Sequence, residues 1–217
     1  MKNFFRKVAF GIGPNEQAPS DPLKWALDQV NDVPELSWKG KIYSEKELRK
    51  HYRDWVYGDR KVLRKKYKDN KTLYKTHKDI LRHKTGQKFW ESLEISIRHN
   101  EGINSSSPVL AKLWMFWGNF FAISEKDFLA NYSTGAYQRE IIRPNLNQTF
   151  EKMVYDVTTS WAMIHHLDNS ESAGPKSVTA SDEWRRRKKE PATINENHAR
   201  ELLEPVSYTH LRAHETI

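Results

Sequence analysis

No cysteine occurs among the 217 residues, which excludes disulfides and thiolate metal sites and leaves His, Asp and Glu as the ligand types for any metal. Long apolar runs are missing too. No stretch of eighteen apolar residues is present, so no membrane-spanning helix is expected. The opening MKNFFRKVAFGIGPNEQ lacks the seven or more uninterrupted apolar residues of a secretory leader, so none is expected. Sustained period-two alternation is absent, which argues against a sheet. The motifs HExxH, GxSxG, GxxxxGK[ST] and a strand-linked GxGxxG are also missing, which removes support for zincin, serine-hydrolase, P-loop and dinucleotide readings. His165 and His166 are neighbours that point about 100° apart on a helix, and with His198 they make no ligand set, so no metal site is expected.

What is present is a globular composition, 37% hydrophobic and 12% aromatic, in a length suited to one domain. Its charge is uneven. Residues 49–88 hold fifteen Lys or Arg against four Asp, an excess larger than the formal +8 of the whole chain, so the remainder is slightly acidic. Such a basic segment is either a solvated helical face or a surface for a polyanion such as nucleic acid, anionic polysaccharide or a membrane. Tyr52, Trp55, Tyr57, Tyr67 and Tyr74 interleave its cations, as stacking on bases would need, but they fall at helical spacing and match no named nucleic-acid module, which favours core packing.

Helical signals punctuate the chain. Asp21 and Pro22 read as cap and first residue of a helix carrying Leu23, Ala26, Leu27 and Val30. Ser44 and Glu47 form a capping box that opens a helix with Leu48, Tyr52, Trp55 and Val56 on one face. The apolar positions Val62, Leu63, Tyr67, Leu73, Tyr74, Ile80 and Leu81 continue in helical pairs. Phe89, Leu93 and Ile97 mark a further helix that runs into a loop expected at 100–107. Ser107 and Pro108 begin the strongest core helix, with Leu110, Leu113, Trp114, Trp117, Phe120 and Phe121 on its stripe. Ser124 and Asp127 open a short turn, and residues 137–142 form another that ends at Arg143 before Pro144. Asn145 is then expected to cap a helix lined by Leu146, Phe150, Met153, Val154 and Val157, with an irregularity at 158–160. Residues 168–193, including the basic knot from Arg185 to Lys189, read as a polar loop before a last helix at about 195–203. The fold class is therefore all-α, an irregular multi-helix bundle with long loops.

Four polar signatures stand in order: WMFWGNFFAIS, YQREIIRPN, HHLDNSESAGPKS and INENHARELLE. Together they resemble the bacterial family catalogued as domain of unknown function 1800, whose members carry FWxNHF, (F/Y)xREAIRPH, YLDNxxSxGPxS and LNENLAREL. The segment FGIGPNEQAPSDPLKWALDQ resembles that family's opening, so the likeness covers about residues 7–204. It implies a helical bacterial protein and brings no catalytic mechanism; any cofactor stays unknown, and the compartment stays open between cytoplasm and periplasm. The histidine of FWxNHF is Phe120 here, and Gly118 precedes Asn119, so no role for that histidine carries over. Beyond Pro205 the family continues into a glycine-rich segment and further helices, whereas residues 206–217 resemble a translated adapter. Residues 1–205 are thus expected to be the N-terminal part of one helical domain, and 206–217 a non-native tail. An incomplete core of this kind would leave an apolar face exposed.

The same signatures supply the candidate site. Arg139 and Arg143, four apart, present two guanidinium groups that call for a carboxylate or phosphate, with Asp168, Glu196 or Glu201 as internal partners or an anionic ligand instead. Glu196 and Arg200 share a helix face in the favourable order. Asn195 and Asn197 are potential donors or caps, and Asp168 with Asn169 reads as a turn. We expect Arg139, Glu140, Arg143, Asp168, Asn169, Asn195, Glu196, Asn197, Arg200 and Glu201 to form one interhelical polar cluster, either a structural network or a site of an enzyme or small-anion binder. The alternative function is an interaction module that binds a polyanion or protein partner through the basic helices 49–88.

Overall fold

The computed structural model describes residues 2–13, 15–84, 86–124, 128–180 and 193–203, and among them it is helical with no strand. The chain divides into two compact units, Met1–Val157 and Thr158–Ile217. The basic knot at 185–189, the turn signal at Asp127 and the tail at 206–217 lie outside the described residues.

The helices that begin in the first unit are α1 (Lys2–Val8), α2 (Pro22–Val30), α3 (Glu45–Arg53), α4 (Arg60–Lys66), α5 (Lys71–Lys84), α6 (Gln87–Asn104), α7 (Pro108–Phe120), α8 (Phe128–Tyr137) and α9 (Phe150–Thr159), the last of which reaches the boundary between the units. A π-helical turn at Asp54–Asp59 joins α3 to α4, and a second at Gln138–Ile142 extends α8 into a 3-10 turn at Arg143–Asn145. The caps read from the sequence form where their chemistry allows. Asp21 accepts from the Lys24 N–H with Pro22 in the first turn, and Ser44 with Glu47 closes a reciprocal capping box.

α8 packs against both α3 and α6. Its Tyr132 and Ala136 meet Leu48 and Trp55 from the α3 segment and Trp90 from α6 in one core cluster. Each fully buried large side chain there contributes about 1.5–3 kcal/mol of transfer free energy. A second cluster joins Ala9, Ala26 and Val109. Lys112 on α7 donates to the carbonyls of Arg6 and Ala9, so a cation satisfies the C-terminal end of α1.

Several sequence expectations change in detail. In α2 the buried residue is Ala26, while Leu23 and Leu27 are exposed, because a nine-residue helix lying on the surface covers only a narrow stripe. Val62, Leu73 and Ile80 are exposed although their neighbours Leu63, Tyr74 and Leu81 turn inward. α6 runs through to Asn104, shortening the loop expected at 100–107, and Ser107 gives no side-chain cap to α7. Asn145 caps no helix; it donates to the Ile141 carbonyl and to Asp156, while Thr149 accepts from the Lys152 N–H at the start of α9.

In the second unit, Ser160 caps α10 (Trp161–His166), short 3-10 turns follow at Asn169–Glu171 and Val178–Ala180, and α11 spans Asn197–Leu203.

Candidate functional site: a charged layer between α6 and the second π turn

Two carboxylates of α6 stand on the stripe that faces the core. Trp90, Glu94, Ile97 and Glu101 follow i, i+4, i+7, i+11 spacing, and Trp90, Ile97 and Glu101 are all buried. The partner surface is the π turn Gln138–Ile142. Gln138, Arg139 and Ile142 are all buried there, an arrangement favoured by the wider turn, which brings adjacent side chains inward.

Arg139 grips Glu94 with both sides of its fork: Nη2 donates to Oε1 at 2.7 Å and Nε to Oε2 at 3.2 Å. Its remaining bonds go to the Tyr43 carbonyl at 2.6 Å and to Glu140 at 3.1 Å. Burial alone would lower the pKa of this guanidinium; the hydrogen bonds and charge of Glu94, then Glu140, outweigh it and hold it above its ordinary value. The Arg–Glu pair is nearly dry, with side chains 6% and 9% exposed. Such a pair is retained only where bidentate geometry and extra hydrogen bonds offset desolvation.

Glu140 passes the connection on to α3, accepting from the Glu45 N–H at 3.0 Å in the first turn of that helix, where an anion suits the dipole. The side chain of Glu45 is affected in turn. Burial raises its pKa, the Arg49 cation opposes the shift, and the charge of Glu140 adds to it.

One turn further along, Arg143 donates to the Pro34 carbonyl at 2.5 Å and to Glu101 at 3.4 Å, and lies over the Trp114 ring at 5.8 Å. Glu101, 2% exposed, also accepts from the Ser37 N–H and hydroxyl at 2.9 and 2.8 Å. Every partner in this layer is internal.

Beside the layer is a cleft of about 40 Å³ lined by Glu91, Glu94, Ile95, Arg98, Trp114, Thr134, Gly135 and Gln138. That volume holds on the order of three waters, or the head of a small ligand. Gln138 is held by its position between Arg98, which donates to its Oε1 at 2.5 Å, and Trp114, which donates to its backbone carbonyl at 2.8 Å. One glycine, Gly135, lines the cleft, and another, Gly118, stands against Gln138. A Cβ on Gly135 would lie 2.2 Å from Glu94 Cβ, and one on Gly118 would lie 3.0 Å from Gln138 Oε1. Among the described residues Arg98 has one hydrogen-bond partner, so four of its five N–H donors are uncommitted.

The sequence-derived candidates therefore sort as follows. Arg139, Glu140 and Arg143 belong to this layer, with Glu94 and Glu101 as the carboxylates where Asp168, Glu196 or Glu201 were expected. The others lie in the second unit. There Asp168 takes a left-handed conformation at φ 57° and its carbonyl accepts from Asn195 Nδ2; Asn169 Oδ1 accepts from the Ser172 hydroxyl, which accepts from the Asn195 N–H. Asn195 Oδ1 accepts from the Asn197 N–H, and Asn197 Oδ1 accepts from Arg200 at 2.6 Å, a place where Glu196 was the expected partner. Glu196 and Glu201 are exposed. Glu94, Arg98, Glu101 and Gln138 escaped sequence reasoning. Their signal was two carboxylates on the same stripe as Trp90 and Ile97.

Among the described residues no group of three His, Cys, Asp or Glu side chains is arranged to hold a metal, and no helix is long and apolar enough to cross a membrane. The sequence model of the family described as "Protein of unknown function (DUF1800)" matches residues 3–205. The chain belongs to the DUF1800 family. No curated protein and no solved structure is significantly similar to it. At the position where the DUF1800 pattern noted above has the histidine of its FWxNHF helix, Phe120 is 46% exposed and packs edge-on against Trp117 and Phe121. The glycine two residues before it, Gly118, is the one that gives Gln138 its room.

Proposed function

We propose that this DUF1800 chain is a small-anion binder whose anchor is Arg98, with the Arg139–Glu94 and Arg143–Glu101 pairs as the scaffold that holds the cleft open. The observation that carries the reading is the division of labour among three arginines. Arg139 and Arg143 direct their donors to internal carboxylates and carbonyls, while Arg98 faces the cleft with one donor used. Around the cleft Glu91 pairs with Lys88 at 2.5 Å and Glu94 with Arg139, so neither carboxylate of the lining is paired with Arg98. A carboxylate or phosphate head fits the planar guanidinium fork.

Binding is favoured over turnover. Both oxygens of Glu94 are engaged by Arg139, so the most buried carboxylate of the cleft is poorly placed to act as a base.

The test titrates acetate and inorganic phosphate into the wild type and the Arg98→Gln variant by calorimetry, with melting temperature measured in parallel. Saturable binding by the wild type that drops at least tenfold in Arg98→Gln, at an unchanged melting temperature, is expected. Equal affinity in the two proteins would remove Arg98 from the site and the proposal with it.

A further inference from the structure

The hairpin of α4 and α5 carries charge of a quite different kind. Residues 60–84 hold eleven Lys or Arg and two Asp, so at most two of its cations can be neutralised within it. α5 has no fully buried residue. On a helical wheel Lys71, Lys75, Lys78 and Arg82 follow i, i+4, i+7, i+11 and fall within about 60° of one another, a row about 16 Å long. In it Lys71 and Lys75 are exposed, Lys78 and Arg82 are half-buried, and Arg82 pairs with Asp79 at 3.4 Å. Lys61, Arg64 and Lys65 on α4 and Lys68 in the connection are exposed beside it in sequence.

We propose that this hairpin docks on the phosphate backbone of double-stranded nucleic acid without reading its sequence. A row of one cation per turn over about 16 Å suits a linear polyanion, and it spans roughly half of the ~34 Å helical turn of a duplex. The apolar residues argue against a bilayer. Leu73 and Ile80 are exposed but stand about 180° around α5 from the cation row, so one face cannot insert aliphatic side chains and present that row to lipid head groups together. Ring placement argues against a single strand. Tyr67 is stacked on His77 at 4.6 Å and Tyr74 is half-buried, which leaves no exposed tyrosine within 60–84 for bases to stack on. Phosphate contacts alone position a protein on a duplex and carry no sequence information.

The experiment follows fluorescence anisotropy of a labelled 20-base-pair DNA with the full chain across a salt series. Expected is a slope of log K against log salt of about −3 or steeper, equal within threefold for two unrelated sequences. The double variant Lys71→Gln/Lys75→Gln should make that slope shallower by about 2, while Lys24→Gln on α2 leaves it unchanged. Matching circular dichroism spectra establish that the variants are folded. A flat salt response, an unchanged slope in the double variant, or tighter binding to a sulfated polysaccharide or to anionic vesicles at equal charge concentration would each overturn the proposal.

Discussion

The layer between α6 and the second π turn and the α4–α5 hairpin both depend on arginine, lysine and carboxylates, and they use them in opposite ways. In the layer each guanidinium that matters to the fold meets a buried carboxylate at bonding distance, and the oxygens left over take backbone or hydroxyl donors. In the hairpin eleven cations share two carboxylates and sit mostly in water. A buried charge must be neutralised locally or its desolvation is ruinous, whereas an exposed row tolerates repulsion because solvent and salt screen it. The difference teaches where each region's loss would register: in the layer as unfolding, in the hairpin as lost association.

The sharpest way to break that contrast is to remove one partner of the buried pair. Glu94→Ala should destabilise the fold by about 3 kcal/mol by taking from buried Arg139 its bidentate partner and leaving only the more exposed Glu140 as counter-charge. The double variant Glu94→Leu/Arg139→Met should recover much of the loss, as a double-mutant cycle in urea would reveal. A loss under 1 kcal/mol for the single variant would mean that water reaches Arg139. Next in size is Gly135→Ala. Its new methyl group meets Glu94 Cβ, an atom that cannot swing away, so a cost of about 1–3 kcal/mol is expected, and part of it should persist with Glu94 shortened to Ala, which removes only the further contacts to Cγ and Cδ. Smallest is the hairpin: Lys61→Gln/Lys65→Gln should change unfolding free energy by no more than about 0.5 kcal/mol. A larger fall would make the hairpin part of the fold's energetics and dissolve the comparison.

The pH response adds a finer distinction. Because burial holds the folded-state pKa of Glu45 above its unfolded value, the protonated form is favoured in the folded state. This group's contribution is therefore complete at low pH and fades as pH rises through the raised value. Glu47 behaves in reverse: its bonds to Ser44 depress its pKa, so the capping box contributes above the ordinary carboxylate range and fails as pH falls through the lowered value.

Much of this division was visible in the sequence. Capping at Asp21 and Ser44 depends on residues three apart, and the all-α class depends on periodicity, so both are local and readable. The fork of Arg139 was also legible as a demand for a carboxylate. Which carboxylate answered was not, because Glu94 lies 45 residues earlier and its pairing follows from how α6 meets α8, a matter of tertiary packing. The exposure of Val62, Leu73 and Ile80 escaped for a related reason. Helical pairs signal a helix, but only a neighbouring element decides how wide a stripe is covered. The cleft was invisible from Arg98 alone and depends on two glycines whose importance lies in what stands opposite them.

The π turn at Gln138–Ile142 amounts to one residue more than a regular helix would use over the same rise. Excising a single residue there would restore ordinary α-helical phase and swing everything downstream by about 100°, so Arg143 would leave Glu101 while Tyr137 upstream kept its place. That surplus residue is thus the gear tooth that keeps two arginines, four positions apart, meshed with two glutamates seven positions apart on the facing helix.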